Sequence, residues 1–159
     1  MAFKIKRRKN TKMSKMTSSP PPNWVEDTNI RAWVDWAISL VGPKNWMVRK
    51  QSLMTFAQGQ LPAISAGWEE GTDFASVRIA PEDRSRWYLY QAELYLKNPY
   101  ECDLPQASRI LPVVHRLGAR LEELNRIPGA VDRMRRVFEN PGVDIDSALF
   151  ELTVASALP

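Results

Sequence analysis

The chain has 159 residues, 44% of them apolar, with 22 Lys+Arg against 18 Asp+Glu and a single cysteine. No run reaches the ~18 apolar residues of a membrane-spanning helix. One thiol, Cys102, excludes an internal disulfide, and the expected setting is reducing and cytoplasmic.

The net charge of +4 is unevenly distributed. Lys4, Lys6, Arg7, Arg8, Lys9, Lys12 and Lys15 all precede the first acid, Glu26. Without those seven, 15 basic residues face 18 acidic ones, so the body carries −3. Residues 1–22 read as a disordered basic tail that ends in the extended Pro20–Pro22 spacer. Residues 23–159 read as one helical domain, long enough for a real core. No apolar run follows the early cations, so the tail is not a secretory signal. Its seven cations suit phosphate backbones, bound through counterion release. Phe3 is its only aromatic, so base stacking is not indicated and binding would be sequence-independent. The alternatives are a solubilising leader, or a start site upstream of Met13 or Met16.

Asp27, Thr28 or Asn29 caps a first helix, with Ile30, Trp33, Val34, Ala37, Ile38 and Val41 at helical spacing. Gly42-Pro43 stops it. A second helix is expected from Pro43 to Gln58, with Gly59 as its stop and Trp46, Leu53, Met54 and Ala57 inward. Residues 59–80 are irregular, with a short turn at Leu61–Ala66 and a strand or coil at Asp73–Ala80. Pro81-Glu-Asp-Arg opens a third helix that Asn98-Pro99 ends. Trp87, Tyr90, Leu94 and Lys97 mark one side of it; Leu89, Glu93 and Leu96 mark another. Ile110, Val114, Leu117, Leu121 and Leu124 form one continuous stripe on a fourth helix, which starts at Leu111 or kinks at Pro112. Helix five covers Ala130–Glu139, with Val131, Met134 and Phe138 inward. Asp146-Ser147 caps a last helix, Ala148–Leu158. The fold class is all-α, an orthogonal bundle of five to six helices.

No catalytic or metal motif is present: the sequence lacks GxGxxG, a P-loop, GxSxG and HExxH. No cofactor is expected. His115, the one histidine, lies off the apolar stripe and reads as a surface residue. Arg109, Arg116 and Arg120 fall along one flank of the fourth helix, with Glu123 one turn beyond. Such a row is a solvated face or a site for an acidic partner or a phosphate. Glu69, Glu70 and Asp73 cluster without the EF-hand spacing and read as a polar loop. Cys102 sits between Glu101 and Asp103, whose charge raises a thiol pKa, so an unreactive thiol is expected.

Arg86-Trp-Tyr-Leu-Tyr-Gln-Ala-Glu-Leu-Tyr-Leu, Ser108-Arg-Ile-Leu-Pro, Leu117-Gly-Ala-Arg-Leu-Glu-Glu-Leu and the segment from Asp146 to Leu158 carry a resemblance. Together they resemble an uncharacterised bacterial family in which a helical N-terminal region precedes a restriction-endonuclease-like α/β domain. The resemblance covers Trp24 to the end and implies an opening-helix Glu beside a metal site, here Glu151. The strands that would supply an Asp and a Glu-x-Lys are missing from this sequence. The expectation is therefore the helical half of a larger protein, inactive as a nuclease alone.

The leading expectation is a non-enzymatic helical interaction module. Its last helix, through Phe150 and Val154, or its Arg109/Arg116/Arg120 face would meet a protein partner, a missing C-terminal domain or a second copy. The alternative is a nucleic-acid-associated protein tethered by the basic tail.

Overall fold

The computed structural model describes residues 20–66, 79–140 and 143–157, except for the side chains of residues 60–66. The tail cations, Glu69, Glu70, Asp73, the Pro141-Gly142 turn and Leu158 lie outside the described residues. Among the described residues there are seven α-helices and no strands: α1 (Thr28–Val41), α2 (Pro43–Ala66), α3 (Arg84–Lys97), α4 (Leu104–Gly118), α5 (Leu121–Arg126), α6 (Ala130–Glu139) and α7 (Ile145–Ala157). The all-α class follows from patterned segments that each bury one stripe. The count exceeds the expected five to six because one expected helix is two.

Asp27 caps α1 and accepts from the Asn29 and Ile30 amides, each at 3.0 Å. Ile30, Trp33, Val34, Ala37 and Val41 are buried at the expected spacing. Gly42 takes φ 85°, in the left-handed range, and its N–H closes on the Ile38 carbonyl at 2.9 Å. That conformation is what lets a glycine end a helix.

Gly59, by contrast, has no positive φ, and α2 runs on through it to Ala66. A helical glycine costs about 1 kcal/mol relative to alanine, which lowers stability without ending the helix. The expected stop at Gly59 is therefore corrected, and Leu61–Ala66 is the last part of α2.

A 3-10 turn, Pro81–Asp83, leads into α3. Six consecutive residues, Trp87 through Ala92, are buried. Consecutive positions point all round a helix, so α3 is the central one, packed by α1, α2, α4 and α6. The expected two-sided pattern missed Tyr88, Gln91 and Ala92. Gln91 is satisfied by accepting from the Asp103 amide at 2.8 Å, which fixes the turn into α4.

Asp103 caps α4, which begins at Leu104 rather than Leu111 and contains Pro112. Pro112 deprives the Ser108 carbonyl of a partner, but both residues are exposed, so water can serve it. The expected single stripe crosses a break: α4 ends at Gly118, and α5 restarts after Ala119-Arg120. Leu117 and Leu124 are fully buried on either side, so the apolar spacing survives the break and does not reveal it. α1 packs most extensively on α4. The closest approach is at Gly118, where an added Cβ would lie 1.8 Å from the Asn29 carbonyl oxygen.

Asp144, not Asp146-Ser147, caps α7, accepting from the Asp146 amide at 3.2 Å and the Ser147 hydroxyl at 2.8 Å. Trp33, Trp87, Phe138, Leu89 and Met134 anchor the common core. No helix among the described residues is long and apolar enough to cross a membrane.

Candidate functional site

The expected arginine row does not form. Arg109 and Arg116 lie on α4, but Arg120 falls in the break and turns toward α7. Its Nη1 donates to the Ser156 carbonyl at 2.5 Å, at the carbonyl-rich end of that helix. Arg49 does the same for α6, donating to the Phe138 carbonyl at 3.0 Å. Arg120 is thus a helix-end ligand and no part of a common face. Arg116 is exposed and forms no ion pair among the described residues.

Arg109 instead lines a cleft with Ile79, Arg84, Tyr88, Gln106, Ile110 and Asp146. The Tyr88 hydroxyl donates to Asp146 Oδ1 at 2.6 Å, and Arg84 stands 3.6 Å from Oδ2. Burial, then the Asp146 carboxylate, raises the Tyr88 pKa far above the usual phenol range. Tyr88 therefore stays a hydrogen-bond donor. Because Asp144 takes the capping role, Asp146 is available to the cleft. Residues 84, 88, 109 and 146 come from three helices, so no local spacing could have grouped them. The one sequence signal was Asp144 three residues before Ser147, a capping pattern.

On α7 the inner residues Ile145, Ala148, Leu149, Leu152 and Ser156 are buried. Phe150 is 69% exposed and Val154, one turn on, is 43% exposed. Between them Glu151 accepts from Arg133 Nε at 3.1 Å and Nη2 at 3.2 Å, tying α7 to α6. The residue nominated by resemblance for a metal site is thus engaged by a guanidinium. Among the described residues no three His, Cys, Asp or Glu side chains cluster closely enough to hold a metal.

His115 has two partners. Its Nδ1 lies 2.8 Å from Asp27 Oδ2, so it donates to that carboxylate. Its Nε2 faces the Asn29 side-chain amide at 3.3 Å. A nucleophile activated by this ring would need the place Asn29 occupies. The contact instead joins the end of α4 to the cap of α1. For Asp27, burial opposes ionisation, but the Ile30 amide and His115 outweigh it and hold the pKa below its ordinary value.

Cys102 is half-buried beside the Gln91 carbonyl, 3.7 Å from Sγ. Burial first, then Glu101 and Asp103, pushes its pKa up to about 12. The direction matches expectation; the larger cause, burial, does not show in the sequence.

The chain matches no protein-family model, no curated protein and no solved structure.

Proposed function

We propose that this chain is a non-enzymatic helical interaction module that docks through the outward face of α7. The carrying observation is the exposed pair Phe150 and Val154 on a helix whose other face is buried. Large apolar side chains set one turn apart form a surface stripe suited to another helix. A second copy of the chain is the simplest occupant, because a two-fold arrangement sets each stripe against its twin. A reducing, cytoplasmic setting belongs to this proposal, and a chain with a single thiol is compatible with it.

Light scattering coupled to gel filtration tests the reading across a concentration series. A dimer that Phe150→Asp dissociates, with unchanged circular dichroism, supports it. A strict monomer at every concentration refutes self-docking.

A second reading rests on the seven cations before Glu26. The chain would bind nucleic acid without sequence preference through this tail. Engaging about five phosphates gives a logarithmic salt slope near −4 to −5. Deleting residues 1–16 should abolish binding, and unchanged binding after that deletion defeats the idea.

A further inference from the structure

The one histidine of the chain stands where the end of α4 meets the start of α1. Its Nδ1 lies 2.8 Å from Asp27 Oδ2, and its Nε2 lies 3.3 Å from the Asn29 side-chain nitrogen. The other Asp27 oxygen caps α1, accepting from the Asn29 and Ile30 amides. Burial opposes ionisation of Asp27, but the Ile30 amide and His115 outweigh it and keep the group ionised. An ionised carboxylate only accepts, so this contact puts a proton on Nδ1 whether the ring is neutral or charged. What changes with pH is Nε2. In the neutral ring it accepts and can hold only the NH2 end of Asn29. In the protonated ring it donates and can hold only the Asn29 carbonyl oxygen.

The backbone leaves little room for another response. Gly118, on the turn after His115, sits so close to Asn29 that an added Cβ would lie 1.8 Å from its carbonyl oxygen. Asn29 is half-buried. A half-turn of its side-chain amide is the movement that serves both charge states.

We propose that His115 and Asn29 form a proton-operated switch at the seam between α1 and α4. With the ring neutral, Asn29 donates to Nε2 and turns its carbonyl oxygen outward. With the ring protonated, Asn29 accepts from Nε2 and turns its NH2 outward, while the Asp27 contact becomes an ion pair. One proton thus converts this stretch of surface from an acceptor to a cationic donor. The neighbouring charges leave the ring to Asp27. Glu26 is paired with Arg31. Tyr95 of α3 stays a neutral phenol, its pKa raised by burial and then by Asp27. Arg116, next on α4, is exposed. Among the described residues no charged group of α3, α5 or α7 is within hydrogen-bonding or ion-pair reach of the ring.

The full chain, labelled with nitrogen-15, is taken from about pH 8 to 5, the range in which histidine side chains change charge. NMR follows the imidazole nitrogens and the cross-relaxation between the ring protons and the Asn29 NH2 protons. At the upper end the proton should sit on Nδ1 and the cross-relaxation should be strong. It should fall several-fold as the ring titrates, with the same midpoint. Arg116→Gln should leave this response in place. Asp27→Asn keeps a good helix cap but no longer pins the proton on Nδ1, so the upper-pH cross-relaxation should weaken. Three results would overturn the proposal: a proton on Nε2 at pH 8, unchanged cross-relaxation while the ring titrates, or an Asp27→Asn variant indistinguishable from wild type.

Discussion

Replacing Gly118 with alanine should destabilise the protein, although alanine is the better helix former. Gly118 is the last residue of α4 and is buried against the first turn of α1. A Cβ there would stand 1.8 Å from the Asn29 oxygen, 2.6 Å from its carbonyl carbon and 3.2 Å from its Cα. All three are backbone atoms, so no side chain can rotate aside. Restoring a tolerable contact requires the two helices to part by roughly 1.2–1.6 Å, and overpacking on that scale costs about 3 kcal/mol or more. Parting them also strains the His115 contacts to Asp27 and Asn29 at 2.8 and 3.3 Å. Helix propensity returns about 1 kcal/mol. The net expectation is a loss of at least about 2 kcal/mol and a fall in Tm of about 4–8 °C for a chain of this size. Gly59 is the matched control: it is helical, and an added Cβ meets nothing within 4 Å. Gly59→Ala should stabilise by about 0.5–1 kcal/mol. Urea unfolding followed by tryptophan fluorescence reads both variants. If Gly118→Ala equals or exceeds the wild type in stability, the close approach of α1 and α4 is wrong.

Glu93 accepts from Trp46 Nε1 at 3.0 Å and Lys50 Nζ at 2.5 Å, joining α2 to α3. Its side chain is only 15% exposed and that of Lys50 only 19%. Glu93→Ala leaves a half-buried ammonium and indole unpaired and should cost about 3 kcal/mol in urea unfolding; a loss under about 0.5 kcal/mol would show the pair to be idle. The Cys102 thiol is held at about 12 in the folded chain, whereas an unfolded thiol ionises near about 8.5. The native state therefore keeps a proton that the unfolded state loses, and this contribution to stability declines as pH rises from about 8.5 toward 12. The decline should vanish in Cys102→Ala, and a thiol reagent at pH 8 should label the folded protein far more slowly than the urea-unfolded one. Equal labelling rates would contradict the assigned burial. At protein concentrations low enough for the wild type to be monomeric, Phe150→Asp changes an exposed side chain, so its stability should stay within about 0.5 kcal/mol of wild type; a larger loss under those conditions would place Phe150 in the core.

Much of the local architecture was legible. α1 and α6 matched their expected limits closely, because each has a cap or turn at both ends and one apolar stripe. The errors share a cause. Glycine at 59 and proline at 112 were read as breakers, but each acts as one only through φ or through an unserved buried carbonyl. At Gly59 φ is not positive and the helix runs on, and at Pro112 the helix likewise continues, with both Pro112 and Ser108 exposed. The α4–α5 break went unseen because Leu117, Leu121 and Leu124 keep helical spacing across it. α3 was read as two-sided because aromatic hydroxyls and an amide, Tyr88 and Gln91, look like surface residues until their partners are known.

The candidate site was less legible still. Arg109 was singled out as one of an arginine row, and the structure sets it in a cleft instead. Its neighbours in the cleft, Arg84, Tyr88 and Asp146, are carried by other helices. Composition and periodicity are local quantities. They suffice for the helical class, the charge asymmetry between tail and body, the capping of α1 and the outward placement of Phe150 and Val154. Which charges meet is a long-range matter. The packing of α3, α4 and α7 pairs Asp146 with Tyr88, sends Arg120 to a helix end and sets Arg109 beside Arg84, Tyr88 and Asp146.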